Sequence, residues 1–212
     1  MAVIDAKRLR KVSVFEPLAA TQLTTLLRGA ELRRYKRNEI VFRQGQPADA
    51  VWVVREGWVQ LVRTPTSGDG EHAVVLFTIT PREVLCGVSA IERRPYSASG
   101  IAGTDAAVVR IPAVDFDRAL RQVPEFAYQA LRLYAQRIRQ MADQYGAMAE
   151  PVSQRIVRML LRLHGQFGAT IPVTHRELAQ MSWTTTESAI RAVRRLKAQG
   201  SVGGRRGEVT VT

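Results

Sequence analysis

Thr184-Thr185-Thr186-Glu187-Ser188-Ala189-Ile190-Arg191-Ala192-Val193-Arg194-Arg195-Leu196-Lys197 opens with three hydroxyl residues able to cap a helix and then divides into two faces. Ala189, Val193 and Leu196 recur at i, i+4 and i+7 and can pack inward, while Glu187, Arg191, Arg194 and Lys197 point the other way. Just upstream, Thr174 and Glu177 have the spacing of a capping box, so a second short helix begins there and ends near Met181. Two short capped helices about three residues apart, the second with long polar side chains near its start, form the helix-turn-helix that carries base-reading groups into a major groove.

A plainer account of Glu187 exists. It could be the N3 partner of Thr184 in a capping box, or pair with Arg191 on a solvated face. The charge distribution favours nucleic acid. From Pro151 to Thr212 there are ten Lys and Arg against three Asp and Glu, a net +7 of the chain's +12, and a phosphate backbone is the partner that rewards this concentration.

On these residues the chain resembles the CRP/FNR superfamily of bacterial transcription regulators. The resemblance implies that Glu187 and Arg191 read a shared G·C pair in each half-site, a carboxylate accepting from cytosine N4 and a guanidinium bonding guanine O6 and N7. Thr186 and Ile190 flank them as further base-edge candidates. Thr186 stands where the catabolite-activator branch has an Arg, and Ile190 where the FNR branch has a Ser, so neither branch's full operator carries over. Thr185, Arg194 and Arg195 are the candidate phosphate contacts of this helix. The tail, Val202 to Val211, reads as two short strands around a basic glycine-rich turn, a wing with Arg205 and Arg206 at its tip against phosphate.

Length and composition set bounds. At 212 residues with 46% hydrophobic content the chain has enough apolar material for a real core. No run approaches the roughly 18–20 apolar residues of a membrane span, and Met1 to Ala6 lacks the blocks of a signal peptide, so the expected location is the cytoplasm, away from membranes. The single Cys86 excludes an intramolecular disulfide and a Cys-only iron–sulfur site within one chain, and reads as a buried thiol. No Ser/His/Asp set, paired carboxylate motif, phosphate loop or HExxH occurs, and His72, His164 and His175 fall in different elements, so the chain is read as no enzyme.

Along the chain, Leu18, Leu23, Leu26 and Leu27 suggest a short packing helix. From Leu32 to Ile111 short β-rich runs alternate with turn signals: 39–42, 51–54, 58–62, 73–77 and 107–111, separated by Gln44–Pro47, Glu56-Gly57 and Ser67–Gly70. Many short strands at regular spacing predict an antiparallel barrel or jelly-roll-like sandwich. Residues 9–120 resemble the cyclic-nucleotide-binding β-roll, with Gly45 and Gly57 at the glycines of its early turns. Nucleotide-binding members carry a Gly-Glu pair for ribose and an Arg-Ser pair for the cyclic phosphate. Here Cys86-Gly87 and Tyr96-Ser97 take those places, and the matching positions of the later helix are Met141 and Ala142. A phenol supplies no permanent bidentate clamp and glycine no acceptor. Arg93 and Arg94, nearby but out of register, are read as surface charge. Gly87, Tyr96, Ser97 and Met141 are thus the candidate effector pocket, filled by side chains or holding something less polar than a cyclic nucleotide.

After Pro112, Phe116 and Leu120 mark a helix, and Pro124 starts a longer one. Ala127, Leu131, Tyr134, Ile138, Met141, Tyr145 and Met148 alternate spacings of four and three, a heptad seam with Arg132, Arg137 and Arg139 outside it, which predicts a helical partner. Leu131, Tyr134, Ile138, Met141 and Tyr145 are the expected homodimer seam. Pro151 ends this helix as a hinge, and 154–167 supplies a scaffold helix. The expected class is α+β: a β-roll sensor over 1–123, a dimerisation helix over 124–150 and a winged helix-turn-helix over 151–212. Expected partners are double-stranded DNA, a second copy and RNA polymerase, with no bound metal and no cofactor. Two other readings compete. One keeps the architecture but makes the sensor a haem protein with His72, Cys86 or a Met as axial ligand. The other is a general DNA binder with equal affinity for all sequences.

Overall fold

The computed structural model describes residue 4 and residues 9–64, 73–85, 87–205 and 207–212. The 1–6 segment, the 67–70 turn, His72, Cys86 and Arg206, all of which carried expectations, lie wholly or partly outside the described residues. The chain gathers into two units, Met1–Ala73 with Phe77–Arg139, and Gln140–Thr212 with Val74–Leu76.

In the first unit a short helix α1 (Ala20–Leu26) precedes β1 (Glu31–Tyr35), β2 (Ile40–Phe42), β3 (Ala50–Glu56), β4 (Val59–Arg63), β5 (Val74–Ile79) and β6 (Val84–Leu85). Helix α2 (Gly87–Glu92), strands β7 (Ser99–Ala102) and β8 (Ala106–Pro112), helix α3 (Ala113–Gln122) and the long helix α4 (Pro124–Gly146) follow. Two four-stranded sheets result, ordered β1-β8-β3-β6 and β2-β7-β4-β5. The pairings described between strands are antiparallel. The antiparallel β-roll and the α+β class are therefore as expected. Strands β1, β6 and β7 and helix α2 go beyond the expected elements. β1 carries two arginines among five residues and β7 has one large apolar residue, Ile101, among small ones, so neither has the apolar signature of a strand.

The central strand β3 shows how the sequence makes two cores. Its side chains alternate in direction, and both directions are buried. Val51 and Val53 join Val109 and Ile111 in a core shared with Phe15, Leu23, Leu26, Phe116 and Phe126 from the helices. Ala50, Trp52 and Val54 join Val108 and Leu85 in a second core with Phe42, Val59 and Ile79. Each fully buried large apolar side chain contributes about 1.5–3 kcal/mol relative to exposure. Gly45 and Gly57 do close early turns, at φ of 82° and 70°, and at Gly57 a Cβ would stand 2.3 Å from the Asp105 carbonyl oxygen.

The first half of α4 belongs to this unit. Phe126 is fully buried, its ring 5.9 Å from Phe15 and 5.4 Å from Phe116. Further along, Arg137 pairs with Glu83 at 3.2 Å and lies 5.0 Å over the Phe77 ring.

In the second unit α5 (Val152–Phe167), β9 (Thr170–Ile171), α6 (His175–Met181), α7 (Thr186–Ala198), β10 (Val202–Gly203) and β11 (Val209–Val211) follow the end of α4. Ile156, Leu160 and Leu163 of α5 are buried, as are Leu178 of α6 and Ala189 and Val193 of α7, and the three helices pack on one another. The sheet is ordered β10-β11-β9. The expected two-strand wing thus gains a third strand, pairing Val209 with Ile171 and Thr210 with Thr170. Two residues are too few to register in a hydrophobic pattern.

No described helix is long and apolar enough to cross a membrane.

Candidate nucleic-acid interface and sensor site

Helix α6 starts as its sequence requires. Thr174 Oγ1 accepts from the Glu177 amide at 3.2 Å, and the Glu177 carboxylate accepts from the Thr174 amide at 2.7 Å. Helix α7 starts one residue later than the hydroxyl run suggests. Its cap is Thr185, whose Oγ1 accepts from the Ser188 amide at 3.2 Å, so the N3 residue is Ser188. This corrects the plain account of Glu187, which stands at N2 and is no capping-box partner. Nor does an ion pair join Glu187 to Arg191 among the described residues. Arg191 Nη2 instead donates to Ser188 Oγ at 3.3 Å.

Thr185, Thr186, Glu187, Arg191, Arg194 and Arg195 are exposed and Ile190 is half-buried, while Ala189 and Val193 hold the opposite face in the core. The two faces are as expected, except that Leu196 is only half-buried. Near the wing, Lys197 Nζ donates to the Gly204 carbonyl at 3.1 Å, and Arg205 pairs with Glu208 at 3.0 Å. The basic groups here create a positive field that a neighbouring imidazole registers. Burial first, then the charges of Lys197 and Arg194, lower the His175 pKa below its ordinary value. Arg206 lies outside the described residues.

The positions read as matching a cyclic-nucleotide site are Gly87, Tyr96 and Ser97 in the first unit and Met141 in the second. Tyr96 is 3% exposed, its ring 4.5 Å from Phe42. Its hydroxyl donates to the Ala50 carbonyl at 2.9 Å and accepts from Trp52 Nε1 at 3.1 Å. Gly87 is buried beneath Tyr134, and a Cβ there would stand 1.9 Å from the Tyr134 hydroxyl oxygen. Ser97 is exposed, and so is Met141 on α4. Two tyrosines occupy the space at Gly87 and beside Trp52, and Ser97 faces solvent because the chain turns there into β7. The two named haem-ligand candidates, His72 and Cys86, lie outside the described residues.

Of the five expected seam residues on α4, four are exposed and one is not. Leu131, Ile138, Met141 and Tyr145 are exposed, the first two at 63% and 68%. Tyr134 is half-buried and packs into the helical core of the first unit. The exposed apolar stripe continues instead through Tyr128, three residues before Leu131, and through Ala135 and Ala142. Tyr128 went unrecognised because Ala127, beside it, satisfied the same heptad spacing.

Comparison with known proteins agrees with both units. Residues 32–123 match the cyclic nucleotide-binding domain family and residues 154–212 the Crp-like helix-turn-helix domain. The chain is 28% identical over 191 residues to the cyclic AMP receptor protein of Thermus thermophilus, covering 89% of this chain and 87% of that one. It is 25% identical over 188 residues to the transcriptional activator protein Anr of Pseudomonas aeruginosa, covering 84% and 75%. Among solved structures, the c-di-GMP responsive global regulator CLP of Xanthomonas campestris superposes with a TM-score of 0.75 at 22% identity, covering 91% of this chain and 99% of that one. With a cyclic nucleotide-binding domain and a Crp-like helix-turn-helix both matched, the chain belongs to the CRP/FNR superfamily of DNA-binding transcription regulators.

Proposed function

We propose that the chain binds a two-fold symmetric operator as a homodimer and needs no cyclic AMP to do so. The division of labour is a sensor over 1–123, a dimerisation helix over 124–150 and a DNA-binding part over 151–212. RNA polymerase is the partner through which occupancy changes transcription. The observation that carries sequence-specific binding is the pair Glu187 and Arg191, both exposed one turn apart near the start of α7, and committed neither to a cap nor to each other. Arg191 would bond guanine bidentately and Glu187 accept from the paired cytosine. Thr186 and Ile190 flank them, Thr185, Arg194 and Arg195 meet phosphate, and Arg205 does so from the wing.

The test is quantitative binding to a palindromic site whose half-sites lie about one helical turn, roughly 34 Å, apart. Arg191→Ala should lose about 1–3 kcal/mol of discrimination at one G·C pair, whereas Arg195→Ala should weaken all sequences alike and reduce the salt slope by about 1. Full operator preference in the Arg191 variant would end the direct-readout reading. A general DNA binder would show no preference to lose.

Independence from cyclic AMP rests on the two tyrosines. A cyclic phosphate beside Tyr96 would meet a neutral phenol already bonded to Ala50 and Trp52, and a buried charge that meets no opposite charge is costly. A ribose contact from position 87 would need a side chain where Tyr134 leaves no room for a methyl group. Calorimetric titration with cAMP and cGMP should therefore give no saturable binding, with operator affinity unchanged. Micromolar binding together with a rise in operator affinity would overturn this.

A further inference from the structure

The end of α4, one face of α5 and the turn between α6 and α7 border a cavity of about 410 Å³, within the size range of small-molecule sites. The DNA-binding reading makes no use of it. Arg155, Arg158 and Arg162 line it from α5 against a single acid, Asp143, and Met159, Met181 and Trp183 give it an apolar wall. Arg158 is already paired with Glu150.

Arg155 has a second task. Its Nη1 donates to the Ser182 carbonyl at 3.1 Å and to the Trp183 carbonyl at 2.7 Å, so it holds the turn that joins the two helices of the helix-turn-helix. That turn is strained, since Trp183 has a φ of 49° without being glycine. Among the described residues two polar atoms of lining residues have no hydrogen-bond partner, Arg155 Nε and Ser182 Oγ, the latter on a residue only 5% exposed. Buried polar groups are normally hydrogen-bonded, and two orphans on residues that line one cavity, one of them a guanidinium nitrogen, describe a place for an acceptor.

We propose that this cavity binds a small anionic molecule with a planar apolar body. Its anionic group is taken by Arg155 and Ser182, and its body lies along Trp183 and the methionines, which adapt to flat ligands. Because the same guanidinium holds the α6–α7 turn, occupancy resets that turn and with it the presentation of α7. Only this coupling rests on the DNA-binding reading above; the binding site does not.

The experiment titrates the full-length protein with anilinonaphthalene sulfonate as an anionic aromatic probe, with its neutral counterpart phenylnaphthylamine, and with inorganic phosphate. The sulfonate should bind saturably, one per chain, about tenfold tighter than the neutral compound, the equivalent of about 1.4 kcal/mol for one charge-assisted contact. Phosphate alone should compete weakly. Ser182→Ala removes only an unpartnered hydroxyl, so the variant should fold normally and yet bind the sulfonate several-fold more weakly. Met159→Trp, which fills the cavity, should abolish binding. Saturating sulfonate should change operator affinity of the unsubstituted protein at least threefold. No saturable binding, equal binding of the two naphthalenes, or equal binding in all three proteins would overturn the site. Site-dependent binding with unchanged operator affinity would overturn the coupling, and site-dependent binding by a protein with no operator preference would overturn the DNA reading while leaving the site standing.

Discussion

Ile138→Glu should convert the protein to monomers and cost most of its operator affinity. Ile138 is 68% exposed on α4, midway along a stripe with Leu131 and Tyr145, so in a single chain a carboxylate there is solvated and harms nothing. The cost arises only if the stripe is covered by a second copy. A charge is then buried without a partner, which is worth several kcal/mol, and each 1.4 kcal/mol is tenfold in the dimerisation constant. On the proposed two-fold operator, which both subunits would hold, affinity falls with the dimer. The variant should therefore melt like the unsubstituted chain at the monomer level while sedimenting at half its mass. An intact dimer would place the interface elsewhere.

Phe126→Ala should produce the largest loss of stability, about 3–5 kcal/mol, because a fully buried aromatic ring leaves a cavity as well as lost transfer energy. Phe126 sits between Phe15 and Phe116, so its removal empties the junction between the N-terminal turn, α3 and the start of α4. Two aromatic contacts, each worth about 0.5–1.5 kcal/mol beyond area burial, go with it. A substitution at exposed Tyr128, two residues on, should leave the monomer's stability within about 0.5 kcal/mol of the original. Urea denaturation of both variants makes the comparison. A loss at Phe126 below about 1 kcal/mol would show that neighbouring side chains collapse into the space.

The helix-turn-helix was legible because its signals are local. Thr174 and Glu177 are three residues apart, and the cap they form depends on nothing distant. The same holds for the alternation of α7, whose Ala189 and Val193 face one way by helical period alone. In the β-roll, five apolar runs revealed strands, yet β1 and β7 are strands only because neighbours supply their hydrogen bonds, Glu31–Tyr35 from β8 and Ser99–Ala102 from β2 and β4.

The sequence by itself determined the order of elements, the basic excess of the last 62 residues and a Gly and a Tyr at positions 87 and 96, which the resemblance sets against the Glu and Arg of a cyclic-nucleotide clamp. Only the tertiary structure decided what stands there instead. Tyr96 could equally have lined an open pocket, and its burial follows from Phe42, Trp52 and Ala50, residues over forty positions away. The face of α4 was undecided for a similar reason. Ala127, Tyr134 and Met141 and the adjacent set Tyr128, Ala135 and Ala142 share one heptad spacing, and periodicity fixes the angle between side chains but not which of them meets the core. That choice falls to Phe126 and Ala130, whose burial against residues distant in the chain turns Tyr134 inward over Gly87 and leaves Tyr128 facing out.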